Sequence, residues 1–395
     1  MKTQLIQCAV LGVLLLGGTA TGQTKLQLKE LGRVSLRGRP HNIASSGHAV
    51  CVLENTAGVG GRGGTWCDLI DSTTPSGPEV VLELSGGVFH AWGGVVMTEG
   101  SRAYLVSPRG LDVIRLDDPA RPQVVSTLPW NGGALAAAGN LLFATTNGLE
   151  IIDITDPTSP ILRGRCSLTG EVSRVFVSGT KAYLATVPYV AVVDVGNPDA
   201  PRWLGSAWVG DMIGASGDYV YGSPGGVEAL AVYNFSDPLN GACEGVLVWD
   251  AYVQAVLVSE GRAFLLDCYG VHVFDLKDLC CGWRSPPQMG AAEVPYATKL
   301  AVSGDRLYVV GADPDVWKGG ELIVFGMLAP PAITGIGRVE EGLRFQWNTA
   351  AEGMALQRAT SLTSPDWQTL PGSEFTNRVT VQMCSGSEFF RLVKP

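Results

Sequence analysis

Histidine, charge and the usual catalytic signatures are all sparse in this chain of 395 residues, and each shortage removes a class of function. The four histidines, at positions 41, 48, 90 and 272, show no HExxH or other paired spacing, so a zinc hydrolase site has no support. His48 and His272 fall inside strand-like runs, where a packed or edge position is the default. No GxSxG elbow is present, and no CxxC pair, which removes the nucleophile-elbow hydrolases and the common cysteine metal sites. The glycine-rich stretch from Gly58 to Gly64 lacks the Lys-Ser/Thr of a phosphate-binding loop and does not open a helix. Tryptophan does not recur at a fixed place in each repeat, as a quinone-dependent dehydrogenase would require. Only 16% of residues are charged, the net charge is −9, and no basic cluster occurs, which argues against nucleic acid or an anionic membrane surface as partner. After the first 22 residues no apolar run is long enough to cross a bilayer, so no membrane insertion is expected.

What the chain does contain is a repeat. The stretch Gly139 to Arg165, GNLLFATTNGLEIIDITDPTSPILRGR, holds three short strand signals and an Asp-Pro turn. One such unit cannot bury both faces of its small sheet and must stack on copies of itself. A Gly that closes one strand and opens the next marks the copies, at Gly47, Gly100, Gly139, Gly179, Gly217, Gly261 and Gly304, with spacings of 53, 39, 40, 38, 44 and 43 residues. A Gly there suits a two-residue hairpin turn that needs positive φ. A second strand follows each mark, as in Lys181 to Ala185. A third ends in most copies in an acid, as in Ile151-Ile152-Asp153, and the turns Asp118-Pro119, Asp156-Pro157, Asn197-Pro198 and Asp237-Pro238 come next. These acids are expected to fold their side chains onto the backbone, a structural rather than chemical role. Seven marks, four strands each and almost no helical periodicity predict an all-β fold, a seven-bladed β-propeller. The last copy lacks its own fourth strand and Leu28 to Leu36 is an orphan one, so the N-terminal strand is expected to complete the seventh blade and close the ring.

The consensus resembles the LVIVD-repeat family of bacterial and archaeal surface propellers, most sharply at Ala103-Tyr104-Leu105, Ile151-Ile152-Asp153 and Ala182-Tyr183-Leu184. The resemblance runs from about Leu28 to Leu328 and departs from the pattern at Arg115 and Phe325, where Asp is usual, and in insertions within the first and last copies. It implies a secreted or surface propeller and carries no general catalytic motif; no cofactor and no metal are expected.

Residues 1–22 read as a signal peptide: Lys2, an apolar run from Cys8 to Leu16, and small residues Ala20 and Gly22 with cleavage near Gly22. Its loss leaves 27 basic against 37 acidic residues, a net of −10, and eight cysteines in an oxidising compartment. Cys51 and Cys67, on neighbouring strands of the first copy, are the expected disulfide; Cys243, Cys268, Cys280 and Cys281 cluster in the fifth and sixth copies, and Cys166 and Cys384 have no evident partner. Residues 23–328 form the propeller, and the period stops near Pro330-Pro331. Residues 329–395 read as a small C-terminal β-sandwich, fibronectin III or immunoglobulin-like, with Leu343, Phe345 and Trp347 on one face.

In propellers the connections from fourth to first strand and from second to third strand gather at one mouth. The first kind places His41, His90, Trp92, Trp130, Asn131, Glu171, Arg174, Asp211, Tyr252, Tyr296 and Lys299 there. The second adds Asn55, Arg62, Tyr189, Tyr269, Asp313, Asp315 and Trp317. Three carboxylates between Ala312 and Glu321 fit no EF-hand spacing and read as a solvated loop. Aromatic residues with a few charges around a concave mouth suit a protein or glycan ligand. The expected function is therefore an exported, monomeric, non-enzymatic binding scaffold. The alternative is an extracytoplasmic carbohydrate-active enzyme whose acids come from different blades, a distance that no spacing reports.

Overall fold

The computed structural model describes residues 6–9, 12–14, 26–56, 64–74, 77–85, 94–98, 102–107, 110–118, 121–130, 132–223, 229–248, 252–276, 288–294, 296–312, 319–328, 333–339, 342–347, 355–359, 366–370, 373, 378–382 and 388–393. The chain divides into two compact units, Leu28–Met327 and a second made of Met1–Gln27 with Leu328–Pro395.

Among the described residues the first unit holds seven four-stranded antiparallel sheets. Their innermost strands are Arg39–Ser46, Val95–Thr98, Leu135–Ala138, Arg174–Ser178, Asp211–Ser216, Ala255–Ser259 and Ala297–Ser303, which number blades one to seven. Each innermost strand contacts that of the next blade, and the seventh contacts the first. The fold is thus a β-propeller. In the first six blades strands a to d follow chain order, whereas the fourth strand of the seventh is Gln27–Leu36, hydrogen-bonded beside Gly320–Leu328.

The middle strands are apolar on both faces because each is packed between neighbouring blades. In Lys181–Thr186 and Tyr189–Asp194 four successive residues are buried, while the outer Ile161–Ser167 is largely exposed. The hairpin marks behave as expected: Gly47, Gly139, Gly179, Gly217 and Gly304 have φ of 56–60°, as a type II′ turn needs at its first central residue. In blade six Glu260 and Gly261 both have positive φ, 50° and 73°, which matches a type I′ turn. The recurrent acids are turn formers: Asp153 accepts from the Thr155 N–H at 2.9 Å, Asp156 from Thr158 at 2.9 Å and Asp194 from Gly196 at 3.0 Å.

Two devices join the blades. The first is a β-bulge where strand d leaves strand c, seen at Val113/Ile114, Ile151/Ile152 and Val192/Val193 in blades two, three and four. The residue beside it meets the Asp/Asn-Pro turn of the next blade. Ser126 donates to the Pro157 carbonyl at 2.6 Å, and a Cβ at Gly164 or Gly205 would stand 2.4 or 2.6 Å from the carbonyl of Pro198 or Pro238. Those two glycines leave room for the neighbouring backbone, and no side chain fits there. The second device runs from strand b. Lys181 donates to the Phe235 carbonyl at 2.9 Å and Tyr183 to that of Gly217 at 2.8 Å, both in the following blade. At the closure Arg306 donates to the carbonyl of Ser72 and Tyr308 to that of Gly47 at 3.2 Å. Ser72 and Phe235 each follow the last residue of a c strand, so blade seven grips blade one as blade four grips blade five.

In the second unit Ile333–Val339, Gly342–Trp347 and Arg378–Val381 form one sheet, and Ala355–Ala359, Gln368–Thr369 and Glu388–Val393 lie in another. Ile6–Ala9, within the expected leader, pairs with Glu388–Val393, and Gly12–Leu14 pairs with Ile6–Ala9. The expected cleavage point near Gly22 lies outside the described residues. Leu343, Phe345 and Trp347 alternate inward as anticipated and share one core with Leu356, Val381 and Phe390. The Phe345 and Phe390 rings are 4.5 Å apart.

Candidate functional site at the propeller mouth

Strand a of every blade starts at the face where the fourth-to-first and second-to-third connections meet. Arg174 and Asp211 open the inner strands of blades four and five, and His41 and Lys299 are each third in those of blades one and seven. Ring closure sets the last two side by side, with Thr298 donating to the Pro40 carbonyl at 3.3 Å just ahead of them. Arg174 Nη1 donates to Asp211 Oδ1 at 3.2 Å and to the Met212 carbonyl at 2.6 Å.

These groups feel one another across the ring axis. Burial lowers the ammonium pKa of Lys299, the Arg174 charge adds to that effect and Asp211 opposes it. Burial, helped by Lys299, holds the His41 imidazole below its ordinary value, so at neutral pH the ring is uncharged. Two cations therefore stand with a single carboxylate, which only Arg174 pairs with directly, a local excess of positive charge in a protein whose net charge is −9.

Exposed aromatic side chains share this face. Tyr189, Trp208, Tyr252, Tyr269 and Tyr296 are 46–64% exposed, and all five lie on the mouth face; Trp203, at the other end of strand d, is the one other strongly exposed aromatic among the described residues. Tyr189 and Trp208 face each other across strands c and d of blade four. Tyr269 and Tyr296 are held close by Val294 N–H donating to the Tyr269 carbonyl at 3.0 Å and Tyr296 N–H to that of Cys268 at 3.2 Å. Tyr296 has φ of 60°, a rare conformation for an aromatic residue that marks a locally constrained site.

Not every expected mouth residue is free to bind. Trp130 is half-buried against the core between blades two and three, and its Nε1 donates to Glu150 Oε2 at 2.7 Å. Glu171 is exposed. His90, Trp92, Asn131, Arg62, Asp313, Asp315 and Trp317 lie outside the described residues. Trp208 was missed because the length of strand d, rather than any local motif, carries it to the mouth. His272 stands 3.0 Å from Asp267, itself capped by the N–H groups of Tyr269 and Gly270, and serves the blade-six turn.

Blade one holds a second cluster. Glu54 is fully buried and Asp68 only 1% exposed. Glu54 Oε1 and Asp68 Oδ1 have no other partner among the described residues, so one shared proton satisfies both. Burial first, then the bond to Asp68, push the Glu54 carboxyl up to about 8, while the Gly38 N–H, 2.6 Å from Oε2, works against the shift. Cys51 and Cys67 lie nearby on the same strands, buried, with their sulfurs 2.7 Å apart. The contact with Cys51, then burial, raises the Cys67 thiol well above its usual range.

The LVIVD repeat matches the chain at residues 133–167 and 169–207, the third and fourth blades. The chain carries LVIVD repeats. No curated protein matches it. Among solved structures it is similar to the β-propeller domain of Cps50 (Swd1) from Myceliophteria thermophila, at 10% identity and a TM-score of 0.53, over 76% of this chain and 100% of that one. It is also similar to the WD40 β-propeller domain of Doa1, at 8% identity and a TM-score of 0.53, over 77% of this chain and 97% of that one. At these identities the likeness is one of fold. The LVIVD copies, like the WD40 blades, supply a ring whose chemistry depends on what its loops present.

Proposed function

We propose that this LVIVD-repeat propeller is an exported, non-enzymatic binding protein that takes a glycan at its mouth, with the C-terminal β-sandwich as accessory or tether. The observation that carries the reading is the presence of five exposed aromatic residues on the one face where the inner strands also present a charged group. Exposed Tyr and Trp faces stack on sugar rings, and their hydroxyl and indole groups hydrogen-bond the ring substituents. Catalysis on polysaccharide is the weaker reading on chemical grounds. Asp211 is neutralised by Arg174, and the Glu54–Asp68 pair is sealed from any substrate. A glycan screen on the exported form is expected to give binding that falls at least about tenfold in the double variant Tyr269→Ala, Tyr296→Ala, with an unchanged melting temperature because both side chains are exposed. Undiminished binding in that variant would remove the mouth from the account.

Export also bears on blade one. The Cys51 and Cys67 sulfurs are placed to lose two electrons and two protons to a thiol oxidase disulfide and form a bond. Peptide mapping of the exported product without reductant is expected to yield the two cysteines in one linked fragment and an N-terminus near Gln23. Alkylatable Cys51 and Cys67 in oxidised material would exclude the bond.

A further inference from the structure

The group on the ring axis has donors that the propeller itself does not use. Lys299 makes no hydrogen bond or ion pair among the described residues, although its side chain is mostly withdrawn from water. Both ring nitrogens of His41 are buried without a partner among the described residues. Arg174 has its Nη1 engaged by Asp211 and Met212, and its Nε and Nη2 are left undirected among those residues. Buried polar groups in native proteins are nearly always satisfied, so the two buried, unpartnered nitrogens of His41, with the undirected donors of Lys299 and Arg174 on blades seven and four, imply an acceptor from outside. Lys299, Arg174 and Asp211 together carry one positive charge, which a single negative charge cancels.

We propose that the axis binds the carboxylate of an acidic sugar, a uronate residue of a polysaccharide. Lys299 is its charge partner, the open edge of the Arg174 guanidinium grips it as a fork, and His41 donates a hydrogen bond. The proposal rests on the mouth being the ligand face, and it adds the substrate class. A sugar fits better than a peptide terminus because Tyr252 and Tyr296, in the mouth-face connections that lead into blades six and seven, offer exposed rings on which a pyranose stacks. A dianion such as a phosphate ester fits worse. It needs a second positive charge, which only His41 can give, and burial and Lys299 both oppose its protonation.

Calorimetric titration of the exported full chain with trigalacturonate and with its methyl-esterified form tests this. The acid is expected to bind and the ester to bind at least about tenfold more weakly, with the difference shrinking as salt rises. Lys299→Met is expected to abolish that discrimination and Lys299→Arg to keep most of it. Equal titration of acid and ester, or full discrimination in Lys299→Met with an intact melting transition, overturns the proposal. So does selective binding of a C-terminal peptide carboxylate in place of the uronate. Neutral oligosaccharides that still bind and still respond to Tyr269→Ala would leave the mouth standing and defeat the carboxylate assignment alone, whereas loss of every sugar would defeat both.

Discussion

Deleting residues 27–36 is expected to abolish the folded monomer. That segment is the fourth strand of blade seven, and without it Gly320–Leu328 becomes a long unpaired edge. Leu36 is 4% exposed, and Leu31 and Val34 pack beside it on the core shared by blades seven and one. A fully buried aliphatic side chain contributes about 1.5–3 kcal/mol, so these three supply roughly 4–6 kcal/mol before any backbone bond is counted. Whole-domain stabilities are only about 5–15 kcal/mol. The loss is therefore comparable to the entire margin, and it falls where Arg306 and Tyr308 must hold blade one. The expected result is soluble aggregate or no cooperative transition by scanning calorimetry, with partial recovery when a peptide of residues 26–37 is added in trans. A deletion variant that melts as a monomer within a few degrees of the parent would show that the ring is held by something else.

This closure was legible because it is an arithmetical feature: one copy short of a strand and one strand without a copy. The glycine marks were legible because a two-residue turn dictates φ at a single position, and Gly47 or Gly179 meets that demand alone. What joins one blade to the next was not. Tyr183 and Tyr308 look like ordinary strand aromatics, and their bonds to Gly217 and Gly47 depend on how far adjacent sheets are rotated, which no local pattern encodes. The mouth was legible as a set of connections but not as a set of contacts. Trp130 sits where a ligand aromatic was expected, yet it turns inward to Glu150. Arg174 and Asp211 become neighbours only when blades four and five stack, and His41 and Lys299 only when the ring shuts. Glu54 and Asp68 escaped notice for a related reason: they are diagonal neighbours, Glu54 lying opposite Trp66 and Asp68 opposite Val52, in the register of a hairpin whose connection has no readable turn signature.

That carboxyl pair gives the second large effect. Glu54→Gln is expected to flatten the pH dependence of the propeller's unfolding. In the folded chain the Glu54 carboxyl titrates near 8, against an ordinary value of 4.5 in the unfolded chain. Between those values the native state holds a proton that the unfolded state releases. The stability from the shared proton is thus complete below about pH 4.5 and is lost as pH rises towards 8. At 1.36 kcal/mol per unit the gap sets a ceiling near 5 kcal/mol; relaxation around a buried ion lowers it, and roughly 2–4 kcal/mol is the expected loss. The groups facing Glu54 are Asp68, which raises its pKa further, and Arg37 and the Gly38 N–H, which lower it. A glutamine amide donates to Asp68 at every pH and still accepts from Gly38, so the variant is expected to match the parent at pH 5 and exceed it at pH 8. Glu54→Ala leaves both Asp68 and the Gly38 N–H unpaired and is expected to be less stable at pH 5. Melting temperatures of the three proteins at pH 5 and pH 8 decide the matter. Parallel shifts for parent and Glu54→Gln would mean that the two carboxyls do not share a proton and that the pH response of this ring arises elsewhere.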